Sequence, residues 1–489
     1  MNSTDITTFH RRAFAAAVLV YICTAWSSTG FQNADEHYQV ITFAQWKTGD
    51  PNMGPLPWEF YERIRSSVLP WTAVALFKSC SILGVDDPFT LTFLLRSITA
   101  LLALLTMKRF VIATLRPIDP SLRRPYIILS YFLWFLPFLL VRFSSETWSL
   151  IALLHILALL YQRKENGKWP WWTGMWLGIL ICIKPSMLPA VIGIGLWTLL
   201  IAKPKAVSVL QAGASIVLVF LLSTAMDSLF YGVPAFSFGN YLHANFPSHP
   251  GHVFDSFPWW YYAPWIVKYA IPPIGLCMLV GFFILLRYQA KSLLTWCILP
   301  VVIALSIVPH KELRFLYPLA GLVPLLLITA FSSVRMHWKT HLGATALWKP
   351  VLLLLGVINI LALTVVISSP AANGRTALGQ AIGKKYPVHP LRVEYLEGGR
   401  DIWDIRIPEF YLPVGTTQGV IQNACAPMNT LTDTLVVLIS DHAPAPCPNA
   451  GFPNWEPVQS ALPWWTEKAL WLYDWEDTKP TWRLYEKRS

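Results

Sequence analysis

The 489 residues are 54% apolar and 13% charged, with 38 Lys and Arg against 27 Asp and Glu. Long hydrophobic blocks separated by short basic connectors exclude a water-soluble globular chain and indicate a polytopic protein of the lipid bilayer. From residue 371 onward 11 Lys and Arg meet 13 Asp and Glu, a net of −2, so residues 1–370 carry +13 of the overall +11; that excess sits in connectors between spans, which is the positive-inside pattern and not a nucleic-acid surface.

The first apolar block starts near Phe14 behind Arg11 and Arg12 and has no small-residue cleavage site, so it reads as a retained span. It ends at FQNADEHYQV (31–40), which sets Asp35 and Glu36 at the mouth of the span. The positive-inside rule assigns KRFVIATLRPIDPSLRR (108–124), RKENGK (163–168), KPK (203–205), the Arg287 to Lys291 turn and RMHWKTHLGATALWK (335–349) to the cytoplasmic side. Spans near 126–141 and 147–161 then form a hairpin with the outer tip RFSSE (142–146). A second hairpin, 171–184 and 186–202, has the outer tip KPS (184–186). Residues 207–224 cross outward to an outer loop at 225–262, 263–286 return, and 292–308 lead out to HKELRF (310–315). The chain re-enters at 316–334 and leaves at 350–369. VLPWTAVALFKSCSILG (68–84) is short, carries Lys78 and fits this parity as a re-entrant segment. The expectation is about 11 spans, with 13 as the alternative. Residues 1–370 form the membrane domain, with a first outer loop at 31–67, and 371–489 form a soluble domain on the outer side.

Two helices, HYQVITFAQWKT (37–48) and the one after Pro57, mix aromatic and charged residues over about three turns each and are predicted to lie in the interface. In the tail, DTLVVLIS (433–440) reads as a buried strand and KALWLYDWEDTKPTWRLYEKR (468–488) as two strands about a turn at Glu476 to Pro480, giving a small mixed α/β domain. Cys425 and Cys447 are the two cysteines of this polar region and flank the first strand; a disulfide between them is expected outside the cytosol. The other five cysteines lie in or beside apolar runs and pack as small hydrophobes.

Parity gathers Asp35, Glu36, Arg142, Glu146, Lys184, His310, Lys311, Glu312 and Arg314 on one face of the membrane. Ionisable groups at membrane depth are costly and persist where they pair or line a wet cavity. Each also has a bland reading: the acidic pair opening a helix, Lys184 snorkelling, Arg142 and Glu146 forming a structural ion pair. Four ionisable residues in the five positions 310–314 are denser than those readings require. There is no D-x-D and no zinc-like Cys/His spacing, and Asp86-Asp87 reads as a turn before Pro88, so no metal or other cofactor is expected.

HKELRFLYP (310–318) resembles the H-K-E-x-R-F-L-x-P signature of glycosyltransferase family 22, multi-span mannosyltransferases that use dolichol-phosphate-mannose. ADEHYQ (34–39), LPWEFYERIRSSVLPW (56–71), DSLFYG (227–232), FGNYLHANF (238–246) and FPWWYY (257–262) resemble further elements of that family in the expected order. The likeness covers roughly residues 10 to 330 and is closest to the branch that adds the third mannose of the glycosylphosphatidylinositol (GPI) anchor. The chain departs at RFSSETW (142–148) and at Lys184-Pro185-Ser186, where the family carries R-T-x-S-N-x-x-E and R-P-T.

The resemblance implies an all-α polytopic fold of the GT-C type and an inverting hexosyltransferase. The donor would be polyprenyl- or dolichol-phosphate-mannose, and the acceptor a lipid-linked glycan of the GPI-precursor kind joined α-1,2. Asp35 is expected to be the base, with Glu36 beside it. His310, Lys311, Arg314, Lys184 and Arg142 would neutralise the leaving phosphate, with Glu312, Glu146, Trp58, Glu59, Tyr231, Asn240 and Trp260 orienting groups or acceptor. The reaction would be metal-independent. The location would be the endoplasmic reticulum membrane in a eukaryote or the inner membrane in a bacterium, with the site on the lumenal or periplasmic face. Competing readings are transfer of another polyprenyl-linked sugar, mannose transfer to an N-glycan precursor, and a lipid transporter; a transporter usually shows matching repeats.

Overall fold

The computed structural model describes residues 3–163, 167–245, 256–337, 348–371, 374–387, 391–396, 406–425, 435–440, 444, 455–473 and 481–487. They divide into two compact units that interleave along the chain. One comprises Met1–Ile22, Trp58–Trp71 and Ser97–Thr364, the other Cys23–Pro57, Thr72–Arg96 and Val365–Ser489. The expected first outer loop, 31–67, is shared between them: 31–57 falls in the unit that holds Val365–Ser489 and 58–67 in the other.

Among the described residues six helices are long and apolar enough to cross a bilayer: Asp5–Ser27, Pro88–Leu115, Pro185–Ala202, Ala206–Tyr231, Leu313–His337 and Pro350–Ser368. Two bent pairs, Pro120–Phe132 with Phe135–Val141 (49°) and Pro272–Tyr288 with Leu293–Ile307 (120°), raise the number to eight if each is one span. Val68–Ile82, Ser145–Tyr161 and Trp169–Ile183 are shorter apolar helices. The fold is therefore a polytopic helical one.

In the first unit helix Trp169–Ile183 packs on helix Ala206–Tyr231 through small residues four apart. A Cβ on Gly174 would meet the Ala212 carbonyl oxygen at 2.2 Å, and one on Gly178 would meet Val219 Cβ at 2.8 Å. Without side chains there the backbones approach closely, which is how helices associate where lipid competes for every apolar contact. The break at 132–135 frees backbone groups that lipid cannot satisfy. Asn359 takes them over: its Nδ2 donates to the Phe132 carbonyl at 2.8 Å, and its Oδ1 accepts from Trp134 N at 2.9 Å.

The second unit holds a five-stranded mixed sheet: β1 (Leu391–Leu396), β2 (Thr417–Ile421), β3 (Leu435–Ser440), β4 (Trp455–Ser460) and β5 (Arg483–Lys487), in the order β2-β1-β3-β5-β4. β1 runs parallel to β2 and β3, while β5 runs antiparallel to β3 and β4. Central β3 is Leu435-Val436-Val437-Leu438-Ile439-Ser440, a near-continuous apolar run as a strand covered on both faces requires.

Two expected elements differ. Residues 468–473 belong to the helix Trp464–Tyr473, and among the described residues of 468–488 only Arg483–Lys487 is a strand. Pro463 precedes the helix and accepts from Thr466 N, Thr466 Oγ1 and Glu467 N, so the start is fixed by capping that a strand reading ignores. The helix after Pro57 is one turn, Trp58–Tyr61, not three; Arg63 at φ +52° turns the chain out of it. Cys425 is disulfide-bonded, and its expected partner Cys447 lies outside the described residues. The turn at Glu476 to Pro480 also lies outside them.

Candidate active site

In the first unit the hairpin tips at 184–186 and 310–315 converge on one aromatic ring. Helix Ser145–Tyr161 starts at Ser144, whose Oγ caps Thr147 N, so Glu146 falls in its first turn. Trp169–Ile183 ends at Lys184 because Pro185 cannot extend it. Lys184 Nζ donates to Glu146 Oε1 at 2.5 Å and to Ser145 Oγ at 3.3 Å, and lies 5.9 Å from the centre of the Phe315 ring. Arg314 stands 5.6 Å from the same ring, and the His310 ring meets it edge-on at 5.8 Å. Phe315 thus gathers three basic residues from two connectors.

Glu312 keeps the two nearest from repelling. Arg314 donates to it through Nε (2.6 Å) and Nη2 (2.7 Å), a planar fork on a carboxylate, and His310 Nε2 lies 3.0 Å from Oε1. Burial would raise the Glu312 pKa, but Arg314 first and His310 second outweigh it and hold the carboxyl below its usual range. Lys184 and Glu146 are both buried, so each requires the other; removing one leaves an uncompensated charge, at about 3–5 kcal/mol.

Lys311 is not part of this ring. It is buried and its Nζ donates to the carbonyls of Leu305 (3.3 Å), Ser306 (2.9 Å) and Val308, at the end of helix Leu293–Ile307. Its protons go to orphan carbonyls of a helix terminus, where a cation also suits the dipole, so in this arrangement Lys311 caps the helix C-terminus. Arg142 is buried at the other hairpin tip, with its guanidinium 5.1 Å from the Phe138 ring.

A cation that the candidate set omitted completes the group. Arg65 lies close enough to Lys184 for its charge to act there, as does Arg314, and both act on Tyr241. Its Nη2 lies 3.5 Å from buried Glu59 Oε1. The backbone that carries Arg65 is clamped from three sides. Tyr231 OH donates to the Arg65 carbonyl at 2.8 Å and Ser237 Oγ at 3.2 Å. Asp227 Oδ1 accepts from Ser67 N (2.7 Å) and Oγ (2.6 Å), and Asn240 Nδ2 donates to the carbonyls of Glu62 and Arg63. Tyr231 and Asn240 are therefore backbone clamps. The signal for Arg65 was its place two residues before Ser67 in IRSS (64–67), read only as part of a motif. Trp58 and Trp260 are exposed, and FPWWYY meets the tip through Phe257 N, which donates to the Pro309 carbonyl at 3.0 Å.

Asp35 and Glu36 belong to the second unit. They form the turn Ala34–Glu36, capped by Asn33, whose Oδ1 accepts from Asp35 N at 3.2 Å; Glu36 Oε1 accepts from Gln32 N at 3.2 Å. The chain then makes a π turn, His37–Ile41, before the helix Thr42–Thr48. The expected helix over 37–48 is thus present with a wide first turn, a departure that often marks functional sites.

Residues 13–374 match the Alg9-like mannosyltransferase family. GPI mannosyltransferase 3 of Yarrowia lipolytica is 28% identical over 352 residues, 70% of this chain and 64% of the relative. GPI alpha-1,2-mannosyltransferase 3 of Xenopus laevis is 26% identical over 319 residues, 63% and 58% respectively. The chain thus spans less than two thirds of the length of these relatives. ArnT from Cupriavidus metallidurans, solved bound to undecaprenyl phosphate, superposes with a TM-score of 0.51 at 11% identity over 90% of this chain and 93% of that one, a likeness of fold of the GT-C type. With nearly three quarters of its length matched, including the three tips at 142–146, 184–186 and 310–315, the Arg65 clamp and the acidic turn, the chain belongs to the Alg9-like mannosyltransferase family.

Proposed function

We propose that the protein moves mannose, with inversion, from polyprenyl- or dolichol-phosphate-mannose to a lipid-linked glycan acceptor of the GPI-precursor kind, forming an α-1,2 linkage. The observation that carries this is the group of Lys184, His310 and Arg314 about Phe315, with Arg65 close enough to Lys184 for its charge to act there, a cationic seat suited to a phosphate and held on packed helix ends. The names of the relatives support the acceptor class, and the lipid phosphate bound to the ArnT neighbour supports the donor class.

In this reading the acceptor oxygen bonds to the anomeric carbon while the bond from that carbon to the phosphate oxygen breaks. The electron pair leaves with the polyprenyl phosphate, and Asp35 takes the acceptor proton. The phosphodiester becomes a phosphomonoester, and its growing charge meets cations already in place, which require no reorganisation. Arg314 offers a planar fork and Lys184 a point charge. Cations supply the neutralisation that a divalent ion gives elsewhere, so activity is expected to survive excess EDTA; loss in chelator restored by manganese or magnesium would refute this. About 11 spans, with the site and residues 371–489 on the lumenal or periplasmic side, complete the proposal; a disulfide at Cys425 supports an oxidising compartment.

The test is incubation of purified protein with radiolabelled polyprenyl-phosphate-mannose and a panel of lipid-linked mannosyl acceptors. Labelled product with a GPI-precursor acceptor is expected. Labelling of N-glycan precursors alone would move the assignment, and no product with any acceptor would overturn it.

A further inference from the structure

The family match ends at residue 374, and the chain at and beyond that end packs directly on the loop bearing Asp35. Ala371 N donates to the Thr29 carbonyl at 2.8 Å. Gly30 stands at φ +90°, and a Cβ there would lie 2.9 Å from Thr376 Cβ and Oγ1, so both its conformation and its space require glycine. The Arg375 guanidinium lies 5.3 Å from the centre of the Phe31 ring. Further along, Asn52 Nδ2 donates to the carbonyls of Glu409 (2.6 Å) and Leu412 (3.3 Å), fastening residues 409–412 to the far end of the same loop.

Between these attachments sits His37, the residue after Glu36 and the first of the π turn. Its ring stacks on Phe31 (5.6 Å, 30°), meets Tyr38 edge-on (5.0 Å), and faces Phe410 (6.1 Å) and Tyr411 (5.5 Å). Phe410 is backed by Phe77, stacked at 5.8 Å, and Tyr411 by Phe89 at 5.3 Å. Burial, then the Arg375 charge, lowers the His37 pKa to about 3, so the slot holds a neutral imidazole. A π turn is uncommon and persists where surrounding contacts select it; here Arg375, Phe410 and Tyr411 supply contacts from chain beyond the family match.

We infer that residues 375–376 and 409–412 brace the loop that positions Asp35, with Phe410 and Tyr411 closing the His37 slot and Asn52 as the clasp. Phe410, Tyr411 and Asn52 are positioning residues and touch no substrate. The inference rests on Asp35 being the base proposed above. A base misplaced by about an ångström costs roughly a hundredfold in rate while donor binding stands.

Two variants test it: Phe410→Ala, which opens the slot, and Asn52→Asp, which turns a half-buried donor into a carboxylate facing two carbonyls and leaves the aromatic packing alone. Each is measured for kcat, for donor KM and for binding of polyprenyl phosphate alone. A kcat loss of roughly 10–100-fold is expected, with KM and polyprenyl phosphate affinity unchanged; Phe410→Leu, which refills the slot, should recover most of the rate. Full activity in both variants, or parallel loss of kcat and binding, overturns the brace. A readout without turnover separates this from the proposed function: in protein carrying Asp35→Cys, maleimide labelling at residue 35 is followed by mass spectrometry with and without Asn52→Asp. A changed labelling rate supports the brace, and an unchanged one overturns it, even if the wild-type protein transfers no mannose; absence of wild-type transfer overturns the function alone.

Discussion

At the scale of single residues, charge number and charge geometry separate most clearly at Arg314. Its fork already holds the two oxygens of Glu312, the arrangement it would offer a phosphate. Arg314→Ala should lower turnover about 100-fold or more, the loss typical of one preorganised group at a developing anion. Arg314→Lys should recover only part, because a lysine keeps the charge and loses the fork; full recovery in initial-rate assays would mean that bulk charge suffices. His37 gives a stability prediction. Its folded pKa is about 3, so between pH 6.5 and 3 the unfolded chain binds a proton that the folded one refuses. Its share of stability is whole above pH 6.5 and is lost progressively as pH falls toward 3. In thermal scans the melting temperature should drop across that window, and His37→Phe should shrink the drop.

At the scale of elements, the clamp on residues 62–67 shows how a buried carboxylate serves a cation it does not touch. Asp227→Ala leaves the buried Ser67 N–H and O–H without their acceptor, a cost of about 1–3 kcal/mol. Donor KM should rise with it, since Arg65 loses its fixed seat, and a smaller effect in Asp227→Asn, which keeps one acceptor oxygen, is the check. The tips at 142–146, 184–186 and 310–315 were legible in the sequence because charge inside apolar surroundings is costly and stands out. Arg65 was not, since Arg63 and Glu62 beside it make it look like ordinary loop charge. The setting of Lys311 was not legible for a different reason: a signature gives residue types, and only the fold shows that its protons meet the carbonyls of Leu305, Ser306 and Val308. The helix Trp464–Tyr473 was read as a strand because short apolar runs fit either period, and Pro463 was the overlooked arbiter.

At the scale of the molecule, the membrane class and GT-C fold type followed from apolar block length and the resemblance, whereas the division into units did not. Nothing in composition tells that Cys23–Pro57 packs with Val365–Ser489, because such contacts join residues more than 300 positions apart. The tail should depend on its disulfide: reduction should cost about 2–4 kcal/mol of stability in that unit, and non-reducing mass spectrometry should recover Cys425 in a crosslinked peptide; a free thiol there in protein purified under oxidising conditions would count against it.

Helix Pro350–Ser368 has none of its length buried, and Asn359 carries its polar contacts to the break at 132–135. To a bilayer, one apolar side chain at a given depth is much like another, so the apolar stretch about Asn359 is specified mainly by its length and by that asparagine. Its leucines, valines and isoleucines are free to be exchanged for one another in any order, and a chain rewritten there would fold the same way. Shifting the asparagine by a single position would turn its amide about 100° around the helix, leave a carbonyl and an N–H bare in hydrocarbon, and make this otherwise most forgiving span intolerant at one point.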